Sequence, residues 1–269
     1  ALKGKGVSVV NADDEHAEYF LGFPVKEKLT YGVQGAEHKE STRPGVLVTR
    51  YSLHTTGAEF ETEVDRAKHP FKTNLLGLFN IYNCLAAIAV ARSQEIPIPV
   101  IKKALETLKP IPGRMEVIHD EKRDITFVVD YAHDPAALES VYKTIHHAEL
   151  IAVLGAVGGG RDTAKRPKLG ELAAQYAKQI ILTNEDPYED DPMEIIEHIE
   201  AGVKKDSSRE LNKNYWKILD RREAIEKAVS LAKPGDTIAL TGKGSEEVMA
   251  VKRGLVPWDD RKVVREVLG

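Results

Sequence analysis

Phe127-Val128-Val129-Asp130-Tyr131-Ala132-His133-Asp134-Pro135 is the stretch on which the fold turns. Phe127 to Val129 read as the end of a buried strand, because a short apolar, β-branched run stops abruptly at polar residues. Pro135 is suited to the first position of a helix, with Asp134 before it as N-cap. Ala136, Leu138 and Val141 continue at helical spacing. Asp130 and His133 are therefore expected at the carboxyl end of a strand, where open α/β sheets bind ligands.

The pattern repeats on the carboxyl side. Strands are expected at Ile125–Asp130, Leu150–Gly155, Gln179–Thr183 and Thr237–Thr241, and helices near 135–146, 166–177, 191–203, 221–232 and 259–267. Short apolar strands alternating with amphipathic helices imply α/β architecture: a doubly wound, mostly parallel, Rossmann-like sheet with helices on both faces. Toward the amino side, Ile111-Pro112-Gly113-Arg114 is punctuated like a linker. The expected domains are 1–111 and 112–269.

In the first domain, Val7–Val10 reads as a strand ending in Asn11-Ala12-Asp13-Asp14. Residues 46–48 and 58–64, with Gly57 between them, read as an antiparallel pair exposed on one face. Leu75 through Asn83 leads into a helix to Ala91 that is apolar nearly all round, so it is expected to be buried rather than a surface amphipath. A second helix is expected from about Val100 to Leu108, ending before Pro110.

Composition bounds the function classes. The 269 residues are 42% hydrophobic and 30% charged, as in a globular protein of one large or two modest domains. A net charge of −4 gives no general attraction to nucleic acid or an anionic membrane surface. No signal peptide is expected, and no apolar run approaches membrane-spanning length. Cys84 is the single cysteine and sits in an apolar run. It reads as a small buried hydrophobe, in keeping with a cytoplasmic location. Residue 1 is Ala, and strand-like sequence follows almost at once, as in a chain that begins partway through a larger protein.

The strand ends carry the candidate chemistry. Besides Asp130 and His133, there is Gly155-Ala156-Val157-Gly158-Gly159-Gly160-Arg161-Asp162, followed by Lys165-Arg166-Pro167. Its glycines let a ligand approach the backbone, and Arg161 can grip a carboxylate or phosphate in bidentate fashion. Thr183-Asn184-Glu185-Asp186-Pro187-Tyr188, running on through Asp191, is an acidic loop fit for a cation or an ammonium group. Thr241-Gly242-Lys243-Gly244-Ser245-Glu246 is the last. It is not a phosphate loop, because that pattern requires glycine at position 237, which is Thr. Structural alternatives stand beside these readings: Arg161 paired with Asp162, His133 as a cap or core residue, and the 185–191 run as a solvated helix start. His146 and His147 read as solvated, and Trp216 and Trp258 as packing residues.

In order along the chain, Asn11-Ala12-Asp13-Asp14, Gly77-Leu78-Phe79-Asn80-Ile81-Tyr82-Asn83, Pro112-Gly113-Arg114-Met115-Glu116, Asp130-Tyr131-Ala132-His133, Gly159-Gly160-Arg161-Asp162, Asp186-Pro187 and Gly242-Lys243-Gly244 resemble the motifs of the Mur ligases. These ATP-dependent enzymes build the peptidoglycan stem peptide, and the likeness is to the branch that adds the third residue. The resemblance implies that Asn80, Asn83, Arg114, Asp130 and His133 line an ATP site, with Arg114 toward the phosphates and Asp130 toward the ribose. It implies that Arg161, Asp186, Tyr188, Gly242 and Glu246 surround the incoming amino acid, with Arg161 on its α-carboxylate. The partners implied are a UDP-N-acetylmuramoyl dipeptide and an amino acid. The chemistry implied is an acyl phosphate attacked by an amine, normally with magnesium.

Departures refine that picture. Family members adding diaminopimelate carry Asp-Asn-Pro-Arg where this chain has Glu185-Asp186-Pro187-Tyr188. With the arginine absent and a charge gained at Asp186, the expected substrate is lysine or another cationic amino acid. Ser245 stands where His is usual, Asp134 where Thr is usual, and the glycine loop is about one residue longer. The family's nucleotide-sugar domain, phosphate loop and magnesium-holding lysine have no counterpart before Val7. The expected identity is the carboxyl-terminal part of the central domain plus the third domain, inactive alone. Rival readings are a related ligase, of the next Mur step or of folylpolyglutamate synthesis, and a degenerate, non-catalytic binding module.

Overall fold

The computed structural model describes residues 6–33, 45–145 and 149–269, so His146 and His147 lie outside the described residues. The chain forms two units, Ala1–Lys109 and Pro110–Gly269.

The first unit contains β1 (Val7–Asn11), α1 (Ala17–Leu21), β2 (Glu27–Val33), β3 (Val46–His54), β4 (Gly57–Val64), β5 (Ala67–Thr73), α2 (Leu78–Ser93) and α3 (Ile98–Thr107). Its sheet runs β1-β2-β3-β4-β5, parallel from β1 to β3 and antiparallel from β3 to β5. The tight connection at Gly57 requires glycine, since a Cβ there would lie 2.1 Å from the Thr73 carbonyl oxygen. Helix α2 buries Ile81, Cys84, Leu85, Ile88 and Ala89, one stripe at helical spacing. Burial all round, expected from the sequence, is thus corrected. Ala87 and Val90 face outward, and small alanines on that side make the helix read as uniformly apolar. Asp13, in the turn after β1, accepts the Tyr82 hydroxyl at 2.6 Å and the Val33 amide at 2.9 Å, fastening α2 to the sheet.

The second unit contains β6 (Glu116–Asp120), β7 (Ile125–Asp130), α4 (Pro135–Ile145), β8 (Leu150–Leu154), α5 (Lys165–Tyr176), β9 (Gln179–Leu182), α6 (Pro192–Val203), β10 (Tyr215–Lys217), α7 (Arg221–Leu231), β11 (Thr237–Thr241), β12 (Val248–Val251), β13 (Gly254–Pro257) and α8 (Asp260–Leu268). The sheet order is β10-β9-β8-β11-β7-β6, parallel except for the edge strand β6. β12 and β13 form a separate hairpin. Fully buried strands β8 and β11 are apolar throughout apart from Thr237 and Thr241, as expected of a sheet covered on both faces. One core face gathers Phe127, Val129, Ile151, Val153, Ile181, Ile238 and Leu240 against Ala224, Ile225, Val263 and Val264 of α7 and α8. Trp216 and Trp258 pack against it.

This topology creates the crevice. From β7 the chain crosses to β8, leaving between them a position that β11 fills later, while β9 and β10 extend outward from β8. The direction of winding reverses there, and every parallel strand presents its carboxyl end to the same edge.

Candidate active site at the carboxyl edge of the second sheet

Asp130 ends β7 and is buried. One of its oxygens accepts the Ala132 amide and the other the Met115 amide, each at 2.7 Å. Burial raises its pKa, and those amides and the Arg114 charge pull against that rise. Asp130 therefore braces the turn that carries Tyr131 and His133. The Arg114 guanidinium lies over the Tyr131 ring, 4.4 Å from its centroid, and the His133 ring meets the same tyrosine edge-on at 4.8 Å. His133 Nδ1 is 3.1 Å from the Tyr131 carbonyl, and Lys165 donates to the His133 carbonyl at 2.8 Å. Arg114 is exposed. Its loop is pressed against the turn after β11, where a Cβ on Gly113 would fall 2.1 Å from the Gly244 carbonyl carbon. In the first unit, Asn80 and Asn83 sit on the opening turns of α2. Asn80 donates to the Leu76 carbonyl at 2.8 Å, and Asn83 to the Asn80 side-chain oxygen at 3.0 Å.

The glycine loop after β8 packs on the acidic loop after β9. The Gly158 amide donates to the Asp186 carbonyl at 2.8 Å, and a Cβ on Gly159 would meet the Tyr188 ring at 2.9 Å. Buried Arg166 ties the two loops from below. It donates to the Val157 carbonyl at 3.1 Å, stands 3.5 Å from an Asp190 oxygen, and is 3.0 Å from His198 Nδ1. Tyr188 has a positive φ of 52° and is held by its amide bonding the Ala250 carbonyl of β12. Arg161 is exposed at the tip of the glycine loop. Asp162 caps the following turn through the Ala164 amide rather than pairing with it.

Asp186, whose negative charge is expected at the substrate side chain, is buried; both of its oxygens lie 2.8 Å from Lys243 Nζ, and one also accepts the Ala250 amide at 2.7 Å. Lys243, itself 1% exposed, also reaches Glu246 at 2.6 Å. The lysine between two glycines is thus turned inward onto carboxylates.

Glu185 is the other residue that the sequence did not single out. It is fully buried, its Oε2 has no hydrogen-bond partner among the described residues, and its pKa is pushed up to about 7. Desolvation dominates that rise, Asp186 adds to it, and Arg221, Lys243 and Lys165 oppose it. Room for this side chain comes from glycines on both flanks. A Cβ on Gly155 would lie 2.8 Å from the Glu185 Cβ, and one on Gly242 would lie 2.2 Å from Oε2. Nearby, Arg221 and Asp260 form a buried bidentate pair at 2.8 and 2.7 Å, and Arg221 also donates to the Asn184 and Thr241 carbonyls. A cavity of about 680 Å³ opens farther out, between β10, the start of α7 and the hairpin, and holds none of the expected site residues.

The arrangement can hold an anion at exposed Arg161 and an ammonium beside Glu246. Among the described residues, no three His, Cys, Asp or Glu side chains converge as a metal site, and no helix is long and apolar enough to cross a membrane.

Comparison with known proteins finds a match for each of the two units. Residues 1–91 match the Mur ligase middle domain, and residues 113–244 match the Mur ligase, glutamate ligase domain. The UDP-N-acetylmuramoyl-L-alanyl-D-glutamate-2,6-diaminopimelate ligase of Aquifex aeolicus is 36% identical over 266 residues, covering 98% of this chain and 51% of that protein. Its namesake in Halalkalibacterium halodurans is 36% identical over 265 residues, covering 97% of this chain and 51% of that one. The chain therefore spans about half the length of the curated relatives it matches. A solved ligase of the same name superposes with a TM-score of 0.59 at 31% identity, over 97% of this chain and 53% of its own. MurF ligase of Thermotoga maritima, solved with ADP, shares the fold at a TM-score of 0.67 and 18% identity, over 99% of this chain and 53% of its own. With both of its units matched in series by Mur ligase domains, the chain belongs to the Mur ligase family.

Proposed function

We propose that this chain is the carboxyl-terminal half of a cytoplasmic, ATP-dependent ligase that adds the third residue to UDP-N-acetylmuramoyl-L-Ala-D-Glu. The observation that carries this reading is the set of polar loops gathered at one sheet edge, in a chain aligned over 98% of its length with third-residue ligases. In this reading Asn80, Asn83, Arg114, Asp130 and His133 serve the nucleotide. Arg114 meets the phosphates, and Asp130 sets the Tyr131–His133 turn beside the ribose. Arg161 holds the α-carboxylate of the amino acid. Tyr188, Gly242 and Glu246 wall its side chain. The acyl phosphate is formed by positioning and charge neutralisation, and the amine then attacks its carbonyl, releasing phosphate. Magnesium belongs to the reaction, and among the described residues no three His, Cys, Asp or Glu side chains converge to hold it.

For the amino acid, we favour one with a distal amine and no distal carboxylate, lysine or ornithine, because Tyr188 supplies no positive charge and Lys243 is occupied by Asp186 and Glu246. Diaminopimelate is the second reading, favoured by the names of the relatives.

A chimera joining the amino-terminal half of the Aquifex aeolicus ligase to this chain tests both points. It should extend the UDP-linked dipeptide with consumption of ATP, whereas the 269-residue chain alone should turn over no ATP. A folded chimera that extends nothing would refute the ligase reading, and one that prefers diaminopimelate would refute lysine or ornithine.

A further inference from the structure

Lys243 is 1% exposed and contacts three carboxylate oxygens, two on Asp186 and one on Glu246. These partners belong to separate pieces of chain. Asp186 lies in the loop after β9 and is tied to β12 through the Ala250 amide. Glu246 lies in the turn after β11 beside Tyr131, whose phenol pKa is raised first by burial and then by the Glu246 carboxylate. One ammonium thus joins the acidic loop, the glycine turn and the hairpin, and reaches the Arg114–Tyr131 stack through Glu246. Burying an ammonium is costly unless it is paired and hydrogen-bonded, and the three oxygens meet that requirement. The charges do not balance locally, however. Lys243 faces two carboxylates, and Glu246 is the more accessible, with its side chain 34% exposed against 11% for Asp186.

We propose that Lys243 is a positioning residue for the amino-acid substrate: it holds Glu246 at the subsite and neutralises Asp186, so that the residual negative charge presented to a substrate ammonium is that of Glu246. The inference rests on the amino-acid subsite assigned above. Asp186 then acts as the anchor of Lys243 and does not read the substrate. Specificity for a cationic side chain resides in Glu246 and in the distance at which Lys243 keeps it.

The test uses the full 269-residue chain, isotopically labelled, titrated separately with lysine, ornithine and diaminopimelate and followed by backbone amide NMR. The variants are Lys243→Met, Glu246→Gln and the charge-balanced pair Lys243→Met with Asp186→Asn. The pair guards against simple unfolding, since it removes the lysine without leaving Asp186 charged and unpaired. We expect the parent chain to bind at least one of the three. The pair should keep the parent's dispersed spectrum yet bind at least tenfold more weakly, with the shift changes at residues 245–247 lost, as in Glu246→Gln. Lys243→Met alone should lose both binding and thermal stability. A folded pair that binds within twofold of the parent would overturn the positioning role and leave the subsite reading intact. No binding of any amino acid by the folded parent chain would overturn the subsite reading itself, and the inference with it.

Discussion

Replacing Glu185 by Gln should change how the stability of the second unit depends on pH. Its pKa is about 7 in the folded chain, against 4.5 for a free glutamate. The native state therefore holds a proton that the unfolded chain has released between those values, and stability falls as pH rises through that window. Below about pH 4.5 this cost is absent, and above about pH 7 it is fully present. A difference of about 2.5 pH units corresponds to about 3 kcal/mol, of which about 2 kcal/mol accrues between about pH 5.5 and pH 8. Gln has the same shape and no charge to desolvate. An amide that fits imperfectly lowers the whole curve by a constant, so the slope is the readout. Both tryptophans, Trp216 and Trp258, lie in the second unit, so their fluorescence during urea unfolding reports that unit. The parent should lose about 2 kcal/mol more than Glu185→Gln between the two pH values. Parallel curves would show that Glu185 titrates normally and that its surroundings do not desolvate it.

Other substitutions probe neighbouring features. Gly242→Ala places a Cβ 2.2 Å from Glu185 Oε2 at a φ of +103°, and should cost about 2–4 kcal/mol by urea unfolding; adding Glu185→Ala should recover only the steric part. Arg221→Met strands Asp260 at zero exposure and should cost about 3–5 kcal/mol, while Arg221→Met with Asp260→Asn, which keeps an acceptor for the Trp258 indole N–H, should recover more than half of that in the same assay. Arg161→Ala should leave the melting temperature unchanged while weakening lysine, ornithine and diaminopimelate alike, because the α-carboxylate is common to all three; loss of only one would refute that assignment. Cys84 is buried, and burial raises its thiol pKa, so a thiol reagent should label it only as fast as the first unit opens.

The second unit was legible in the sequence where its elements are strongly patterned. β7, β8, β9 and β11 are apolar runs ended by Asp, Gly or Thr, and burial on both faces leaves such runs little other conformation. The strands that escaped notice have weaker signals. β6 alternates half-exposed residues at an edge, and β10 is three residues long around Trp216. β12 and β13 make a hairpin whose outer residues Val248, Leu255 and Val256 stay exposed. In the first unit, β2 and β5 carry lysines and a proline that dilute the strand pattern. At the site, the motifs located the loops but not the direction of the side chains. Glu185 and Asp186 are adjacent acids, and nothing local tells which is left unpaired and which meets a lysine 57 residues away. Lys243 reads as a loop lysine until the fold turns it inward.

The position of β11 bears on how the molecule is made. It lies between β7 and β8 in the sheet, yet it begins at Thr237, long after both have left the ribosome. Until it emerges, the two earlier strands have no hydrogen-bonded neighbour between them, and the nascent sheet is split down its centre with apolar edges bare. Both walls of the ligand crevice exist only once this late segment has threaded into place. Translation should therefore deliver a half-built domain that waits, vulnerable to chaperones and proteases, for its central strand.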